Sequence, residues 1–299
     1  MLRQVARTDS AQPQYADVVG ELLSQDEEAA VLETRFGRVR VPLARVAAAR
    51  LVQPSAADVL ALEAVTERGW RAAERVMIGG WLMRANHGFT GRANTVLPLR
   101  QPDRPLNELI EDARDWYHER ALLLRLMVPL PARRILDRAL ADRGFAADAD
   151  IQVLARRIAE AAPADPQVQI LPRPTELWLG RYDHHGRPLP AAGRDLLIRH
   201  PRAGFAAIQR GGDLVAIGRG AVDEGWLGVT AVYVQPAFRR QGAASAIVRA
   251  LWAWAAREHH ATHSYLQVAN SNVAALALYD RLGYWHHHYY RYRSEPKSS

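Results

Sequence analysis

The stretch from Val229 to Ala256 constrains the fold of this chain more than any other part of the sequence. It begins with Val232, Tyr233 and Val234, whose side chains favour a β-strand, and a proline two residues later ends that strand. From Ala243 onward, apolar residues recur at helical spacing. The stretch therefore predicts a strand, a turn, a short basic loop and a long helix.

The loop between this strand and helix has the sequence Arg239-Arg240-Gln241-Gly242-Ala243-Ala244. Its small residues leave backbone N–H groups uncovered at a helix N-terminus, where unpaired donors and the helix dipole both favour an anion. The two arginines add fixed positive charge. These properties predict a phosphate or pyrophosphate site, and the alternative is a basic turn that only caps a helix.

A second motif, NSNVAALALYDRLGY, follows downstream of this loop. Asn272 is a favourable helix N-cap, and the glycine near the end of the motif is typical of a helix C-terminus. The motif therefore predicts a helix and then a strand. Six of its residues form the recognisable pattern: Asn272, Ala275, Leu278, Tyr279, Gly283 and Tyr284.

The two motifs together resemble those of the GNAT superfamily of N-acetyltransferases. Arg239, Gly242 and Ala244 fill the family pattern Gln/Arg-x-x-Gly-x-Gly/Ala, and the second motif fills Asn-x-x-Ala-x-x-Leu/Phe-Tyr-x-x-x-Gly-Phe/Tyr. The resemblance covers residues 168–293. It implies an α/β (α+β) fold, with a mixed and mostly antiparallel sheet flanked by helices.

The resemblance also implies a chemistry, in which an acetyl group passes from acetyl-CoA to a primary amine by direct attack in a ternary complex. The loop 239–244 would hold the pyrophosphate, and the backbone of 232–234 would pair with the pantetheine arm. Asn272 and Ala275 would contact the cofactor. Tyr279 would lie near the sulfur and protonate the leaving thiolate, which suits a phenol with a pKa of about 10.

The general base is where the sequence departs from the family. Many members carry a glutamate on the third strand of the meander, and Trp226–Val234 contains no acidic residue. Glu224, in the turn before that strand, is one candidate, and a histidine or bulk water are the others. Because this base is missing, a non-catalytic acyl-CoA-binding or sensor protein is the main alternative function.

The upstream part of the chain contains an echo of the second motif. ILDRALADRGFAAD at 135–148 resembles ALALYDRLGYWHH at 275–287, so that Gly144 aligns with Gly283 and Leu140 with Tyr279. We therefore predict a degenerate GNAT-like domain over residues 54–162, without the phosphate loop and without the tyrosine. An unrelated α/β domain is the alternative.

Three further segments give expectations about domain organisation. Alternating residues around 37–42 predict a small SH3-like β-barrel over residues 1–53, with a disordered lead-in of about 15 residues. The proline-rich segment 163–174 is interpreted as a linker to the GNAT domain at 168–293. His286, His287 and His288 are adjacent on a predicted strand, so they should point to alternate faces at a surface or substrate-facing edge rather than form a metal site.

The composition limits cofactors and partners. The chain has no cysteine, which excludes disulfides, thiolate metal ligands and a cysteine nucleophile. Its net charge is +7, which is compatible with a nucleic acid as partner. The arginines are scattered along the chain, however, so RNA binding is the least favoured alternative. There is no apolar span or signal segment, so we expect a cytoplasmic protein. We expect a small-molecule or peptide amine as the acceptor, but the sequence does not specify which one. It does not specify the oligomeric state either.

Overall fold

The structure is a computed structural model that describes residues 1–7, 14–34, 36–50, 52–158, 165–182 and 188–296. It divides into two compact units, Met1–Pro54 and Ser55–Ser299. The further division of the second unit into domains at 54–162 and 168–293 stays a prediction. None of the helices in the described ranges has the length and apolarity that a membrane span needs.

The first unit contains two antiparallel sheets of three strands each, with the orders β2-β1-β6 and β3-β4-β5. Ala30, Leu32 and Val41 form its small core. Neither sheet closes on itself in the described residues, so the predicted barrel is not confirmed. The expected disordered lead-in is wrong for β1. The strands are β1 (Leu2–Arg7), β2 (Gln14–Val18), β3 (Glu21–Gln25), β4 (Ala29–Thr34), β5 (Gly37–Pro42) and β6 (Val46–Ala49).

The second unit contains seven helices in its described residues, which are α1 (Ala56–Gly69), α2 (Leu106–His118), α3 (Arg134–Ala141), α4 (Glu176–Arg181), α5 (Ala191–Ile198), α6 (Ala243–His259) and α7 (Val273–Arg281). Ser55 caps α1 through a reciprocal pair of hydrogen bonds with Asp58, as expected of a capping box. Gly242 and Asn272 are the N-caps of α6 and α7, so both motif helices begin where the sequence predicts.

The strands of the second unit are β7 (Glu74–Ile78), β8 (Trp81–Ala85), β9 (Arg125–Leu130), β10 (Ala146–Ala147), β11 (Ile151–Arg157), β12 (Val168–Leu171), β13 (Ala203–Arg210), β14 (Asp213–Asp223), β15 (Trp226–Val234), β16 (His263–Ala269) and β17 (Trp285–Ser294). Strand β12 occupies part of the segment interpreted as a linker, so that interpretation is wrong for residues 168–171. The first two residues of the segment, 163 and 164, lie outside the described residues.

The central sheet has the strand order β10-β17-β11-β16-β15-β14-β13-β12, with β9 also paired to β17. Strands β12 to β15 form an antiparallel meander, and β15 pairs with β16 in parallel. This is the mixed, mostly antiparallel sheet that the sequence predicts. Helix α6 packs closely on the meander because β14 has glycine at 218, where a Cβ atom would collide with Ile247. Burying Ile247 and Leu251 there stabilises the fold by about 2 kcal/mol for each side chain.

Two strands are exchanged between the halves of this unit. Strand β11 from the upstream half lies between β16 and β17, while β17 continues beyond β11 and pairs with β9 and β10. Ala146 pairs with Ser294, and Ala155 pairs with Trp285.

Candidate functional site

The site begins where strands β15 and β16 part. Their parallel pairing runs only from Trp226–His263 to Val229–Leu266. Beyond that point β15 stays paired with β14, and β16 stays paired with β11. The two strands thus leave an opening between residues 230–234 and 267–269, which we call the splay.

A β-bulge shapes the β15 side of the splay. The register of β15 with β14 shifts between Thr230 and Tyr233, and Ala231 has a left-handed φ of 55°. Farther along, the Gln235 N–H donates to the Val215 carbonyl at 2.9 Å. Because N–H directions alternate along a strand, the N–H of Val234 points away from β14 and toward the splay. It is a donor placed where a carbonyl oxygen could be polarised.

The basic loop 239–244 lies directly beyond β15. Gly242 has a φ of 82° as the N-cap of the 17-residue helix α6, so the loop turns sharply and leaves the first-turn N–H groups without intrahelical partners. Arg239 donates from Nε to the Val234 carbonyl at 3.1 Å. Arg210 donates from Nη1 to Oε1 of Gln241 at 3.0 Å, which adds a third arginine. Free N–H donors and three guanidinium groups fit a pyrophosphate.

The start of α7 faces the same edge of the sheet as this loop. Asn272 Oδ1 accepts a hydrogen bond from the N–H of Ala275 at 3.2 Å, which fixes the first turn of α7. Because β15 and β16 run in parallel, the N-termini of α6 and α7 both follow the carboxyl ends of these strands. The structure thus brings the two motif loops to one edge.

Tyr279 lies in the core below this edge. Its ring meets that of Tyr284 edge-on, with 5.7 Å between centroids, and it belongs to the same core cluster as Val229 and Leu266. Its hydroxyl makes no hydrogen bond to another described residue. Burial raises the pKa of Tyr279 to about 12, so the hydroxyl stays protonated at neutral pH. The residue is a potential proton donor and cannot serve as a base.

A pocket of about 330 Å³ opens at the splay. Thr230 and Ala231 of β15 and Gln267 and Ala269 of β16 form one side of it. The other walls come from the upstream half, from residue 182 and from the end of β17: Trp70, Thr90, Gly91, Arg92, Ile151, Tyr182, Tyr290 and Tyr292. Sequence reasoning missed these residues because they belong to neither motif. The only signal in the sequence was the alternation of side chains along the last strand, which places Tyr290 and Tyr292 on one face.

The candidate base Glu224 is not brought to this pocket. It lies in the turn between β14 and β15, and its carboxylate pairs with Arg68 at 2.7 Å while 68% of its side chain is exposed. Glu224 lies two residues before the start of β15, and Ala231 lies five residues along that strand from Trp226, which is roughly 17 Å at 3.3 Å per residue. Among the described residues that line the pocket there is no aspartate, glutamate or histidine.

The histidines of β17 do not alternate as expected. The register of β17 with β11 shifts between His286 and His288, so His287 is the extra residue of a bulge. As a result the rings of His287 and His288 meet, with 2.8 Å between their Nδ1 atoms. His288 Nε2 lies 2.8 Å from Oε1 of Glu63, and all three side chains are buried. The expectation of alternate faces at a surface edge is therefore wrong for this pair.

Residues 56–293 match the family model described as "Probable histone acetyltransferase Rv0428c C-terminal". The match spans nearly the whole second unit and includes the splay, the loop 239–244 and the pocket. The chain belongs to the GNAT superfamily of N-acetyltransferases.

Two relatives of this GNAT protein are similar over most of its length. It is 30% identical to the "Probable histone acetyltransferase Rv0428c" of Mycobacterium tuberculosis over 96% of this chain and 91% of that protein. It is 27% identical to the "Uncharacterized N-acetyltransferase YobR" of Bacillus subtilis over 78% of this chain and 98% of that protein. Acetyl transfer is therefore the shared activity named for these relatives.

The fold is also that of solved GNAT structures. A GCN5-related N-acetyltransferase from Kribbella flavida superimposes with a TM-score of 0.58 and 16% identity, over 80% of this chain and 96% of that one. In this GNAT fold the sheet and its flanking helices continue through the upstream half. Trp70 and Arg92 thus lie inside the family region as Tyr279 does.

Proposed function

We propose that this GNAT acetyltransferase moves the acetyl group of acetyl-CoA to a primary amine by direct attack in a ternary complex. The observation that carries the proposal is the parting of β15 and β16 after the Val229–Leu266 pair. The anion-binding loop follows β15 at this opening, and the aromatic pocket opens between the same two strands. A donor and an acceptor could therefore meet there without a covalent enzyme intermediate.

The described residues fit acetyl-CoA as the acyl donor. The N–H groups of the loop 239–244, with Arg239 and Arg240, would hold the pyrophosphate. The backbone of residues 232–234, including Tyr233, would pair with the pantetheine arm, and Asn272 and Ala275 would contact the cofactor at the start of α7. Bound there, acetyl-CoA supplies a thioester whose carbonyl carbon is open to attack.

The proposed reaction uses two groups of the chain. The N–H of Val234 would hydrogen-bond to the thioester oxygen and stabilise the negative charge that develops as the amine attacks. The new C–N bond forms, the C–S bond breaks, and Tyr279 would donate its hydroxyl proton to the departing thiolate. The amine would lose its proton to water, because no described pocket residue is a carboxylate or an imidazole.

We also propose that residues 54–162 form the predicted degenerate GNAT-like domain, beside the GNAT domain at 168–293 and the segment 1–53. In support, the upstream half has a parallel bridge between Val96 and Leu126, as β15 has with β16. In the alignment of the echo, Arg133 takes the place of Asn272. Arg133 donates to the carbonyls of Pro98 and Leu99 at 2.8 Å each, and so occupies part of the counterpart of the splay, beside a pocket of about 310 Å³. Only one acetyl-CoA would then bind per chain.

Calorimetric titration with acetyl-CoA, followed by a thiol-release assay over a panel of amines, tests the proposed function. We expect binding, and release of free thiol with at least one amine. No acetyl-CoA binding at millimolar concentration would overturn the proposal. Binding without thiol release from any amine would favour the non-catalytic sensor instead. A cytoplasmic location and the lack of a nucleic-acid partner stay predictions.

A further inference from the structure

One cation stands in the wall of the pocket. Arg92 is the only charged side chain among its described lining residues, and it is half-buried. Its Nη1 donates to Oε1 of Gln267, and its guanidinium carbon lies 4.9 Å from the ring centre of Trp70. Both partners are neutral, so the positive charge at the pocket wall is uncompensated.

A second cation lies close to the same tryptophan. Arg219 is fully buried, and its guanidinium carbon lies 5.3 Å from the Trp70 ring centre. It donates from Nε to the Leu197 carbonyl at 2.7 Å and from Nη1 to the Gly69 carbonyl at 3.1 Å. No carboxylate of the described residues pairs with it or with Arg92. The potential at this end of the pocket is therefore positive.

Gln267 adds a donor that has no acceptor. Its Oε1 accepts from Arg92 and, at 3.3 Å, from the hydroxyl of Tyr290, and these two donors fix which end of the amide is oxygen. Its Nε2 is then left buried and without a hydrogen-bond partner. A buried donor of this kind is destabilising unless a ligand satisfies it. Gln267 Nε2 and the remaining N–H groups of Arg92 together suit an anionic oxygen.

We propose that the acceptor is an amino acid-like amine, whose carboxylate accepts hydrogen bonds from both Arg92 and Gln267 Nε2 while its amine lies at the splay. This inference rests on the proposed function. The chemistry follows from the pocket: a guanidinium binds a carboxylate strongly, and the half-buried Tyr292 offers its ring to the apolar part of the acceptor. An amine without a carboxylate would bring only a positive charge to a positive pocket, and its binding would be opposed.

Matched acceptors test this. L-Phenylalanine, L-phenylalaninamide and phenethylamine share one apolar group and differ in the carboxylate; leucine and leucinamide repeat the comparison with an aliphatic side chain. We measure kcat/KM by thiol release and divide it by the fraction of each amine that is neutral at the assay pH, because the amides are weaker bases than the acids. Binding of each compound is measured by calorimetry without acetyl-CoA. The acids should exceed their amides by about tenfold or more in both measurements.

Substitutions of Arg92 test whether its side chain causes the preference for acids over amides. Arg92→Gln should abolish the preference for the acids, and Arg92→Lys should retain part of it, because it keeps the charge without the planar fork. Arg249→Gln, at an exposed position of α6, is the matched control and should leave the preference unchanged. Equal use of acids and amides, or an acid preference that survives Arg92→Gln, overturns this inference while acetyl-CoA still binds. Failure of the unsubstituted protein to bind acetyl-CoA would instead overturn the proposed function.

Discussion

Ile151 on β11 and Tyr290 on β17 are paired residues on neighbouring antiparallel strands, and both line the pocket at the splay. The first strand comes from the upstream half and the second from the C-terminal end of the chain. The pairing of these strands therefore places residues from both halves around one pocket, which we propose to be the acceptor site.

The anion loop predicts a specific effect of substitution at Gly242. A side chain there would need a φ of 82° and would project over the free N–H groups, so Gly242→Val should lower acetyl-CoA affinity at least tenfold by calorimetry. Gly212→Val is the matched control, because Gly212 has a φ of 87° and equally open surroundings in the β13–β14 turn. Both variants should lose about 1–2 kcal/mol of stability, but the control should bind acetyl-CoA normally. Equal affinities of the two variants would argue against the loop as the pyrophosphate site.

The role of Tyr279 predicts a separation of turnover from binding. Tyr279→Phe removes a hydroxyl that has no hydrogen bond to another described residue, so folding and acetyl-CoA affinity should be unchanged. Loss of the proton donor should lower kcat by roughly 100-fold. Steady-state kinetics and calorimetry on the same preparation check both statements, and an unchanged kcat would remove Tyr279 from the reaction.

The absence of a base among the described pocket residues predicts the pH dependence of the rate. On the acid side, kcat/KM should rise with the fraction of neutral amine, so two acceptors whose amine pKa values differ by about one unit should give midpoints that differ by about as much. Glu224→Gln should leave both profiles unchanged. A common midpoint for both acceptors would indicate a base on the protein.

Buried His287 predicts a pH dependence of stability. Burial, and then nearby His288, lower the pKa of His287 to about 4, against about 6.5 in an unfolded chain. Between these two pKa values the unfolded state binds a proton at His287 that the folded state does not bind, so a lower pH favours unfolding. The stability that neutral His287 contributes is therefore complete above pH 6.5. It is lost by about 1.4 kcal/mol per pH unit as the pH falls toward 4.

Urea unfolding of the second unit between pH 4 and 7 measures that dependence. His287→Asn should flatten this dependence, although Asp58, Glu63, His286 and His288 nearby are also titratable groups. His87→Asn, at an exposed position with a left-handed φ that asparagine tolerates, is the control and should keep the original slope. If the unfolding free energy of the His287 variant keeps the original slope against pH, the dependence does not arise from His287.

The C-terminal half was predictable because its signals are local. The spacing from Asn272 to Tyr284 and the loop at Gly242 each lie within one strand–helix unit, where periodicity and capping chemistry decide the structure. The meander was also predictable, because the Gly211–Gly212 and Glu224–Gly225 turns fix its hairpins.

The pocket and the histidines were not predictable because their contacts are long-range. Arg92 meets Gln267 only through the assembled sheet, and no local pattern announces that contact. His287 turns to the same side as His288 because of one extra residue in the register with β11, which a strict alternation of side chains misses. The predicted barrel relied on alternation too, which indicates strands but not whether their sheets close.

The most direct test of the central claim is a calorimetric titration of the whole chain with acetyl-CoA, followed by addition of phenylalanine with thiol detection and mass measurement of the product. We expect one acetyl-CoA bound per chain, and one free thiol for each acetylated amine. Two equivalents bound per chain would contradict the single cofactor site, and no binding at millimolar acetyl-CoA would contradict the function itself.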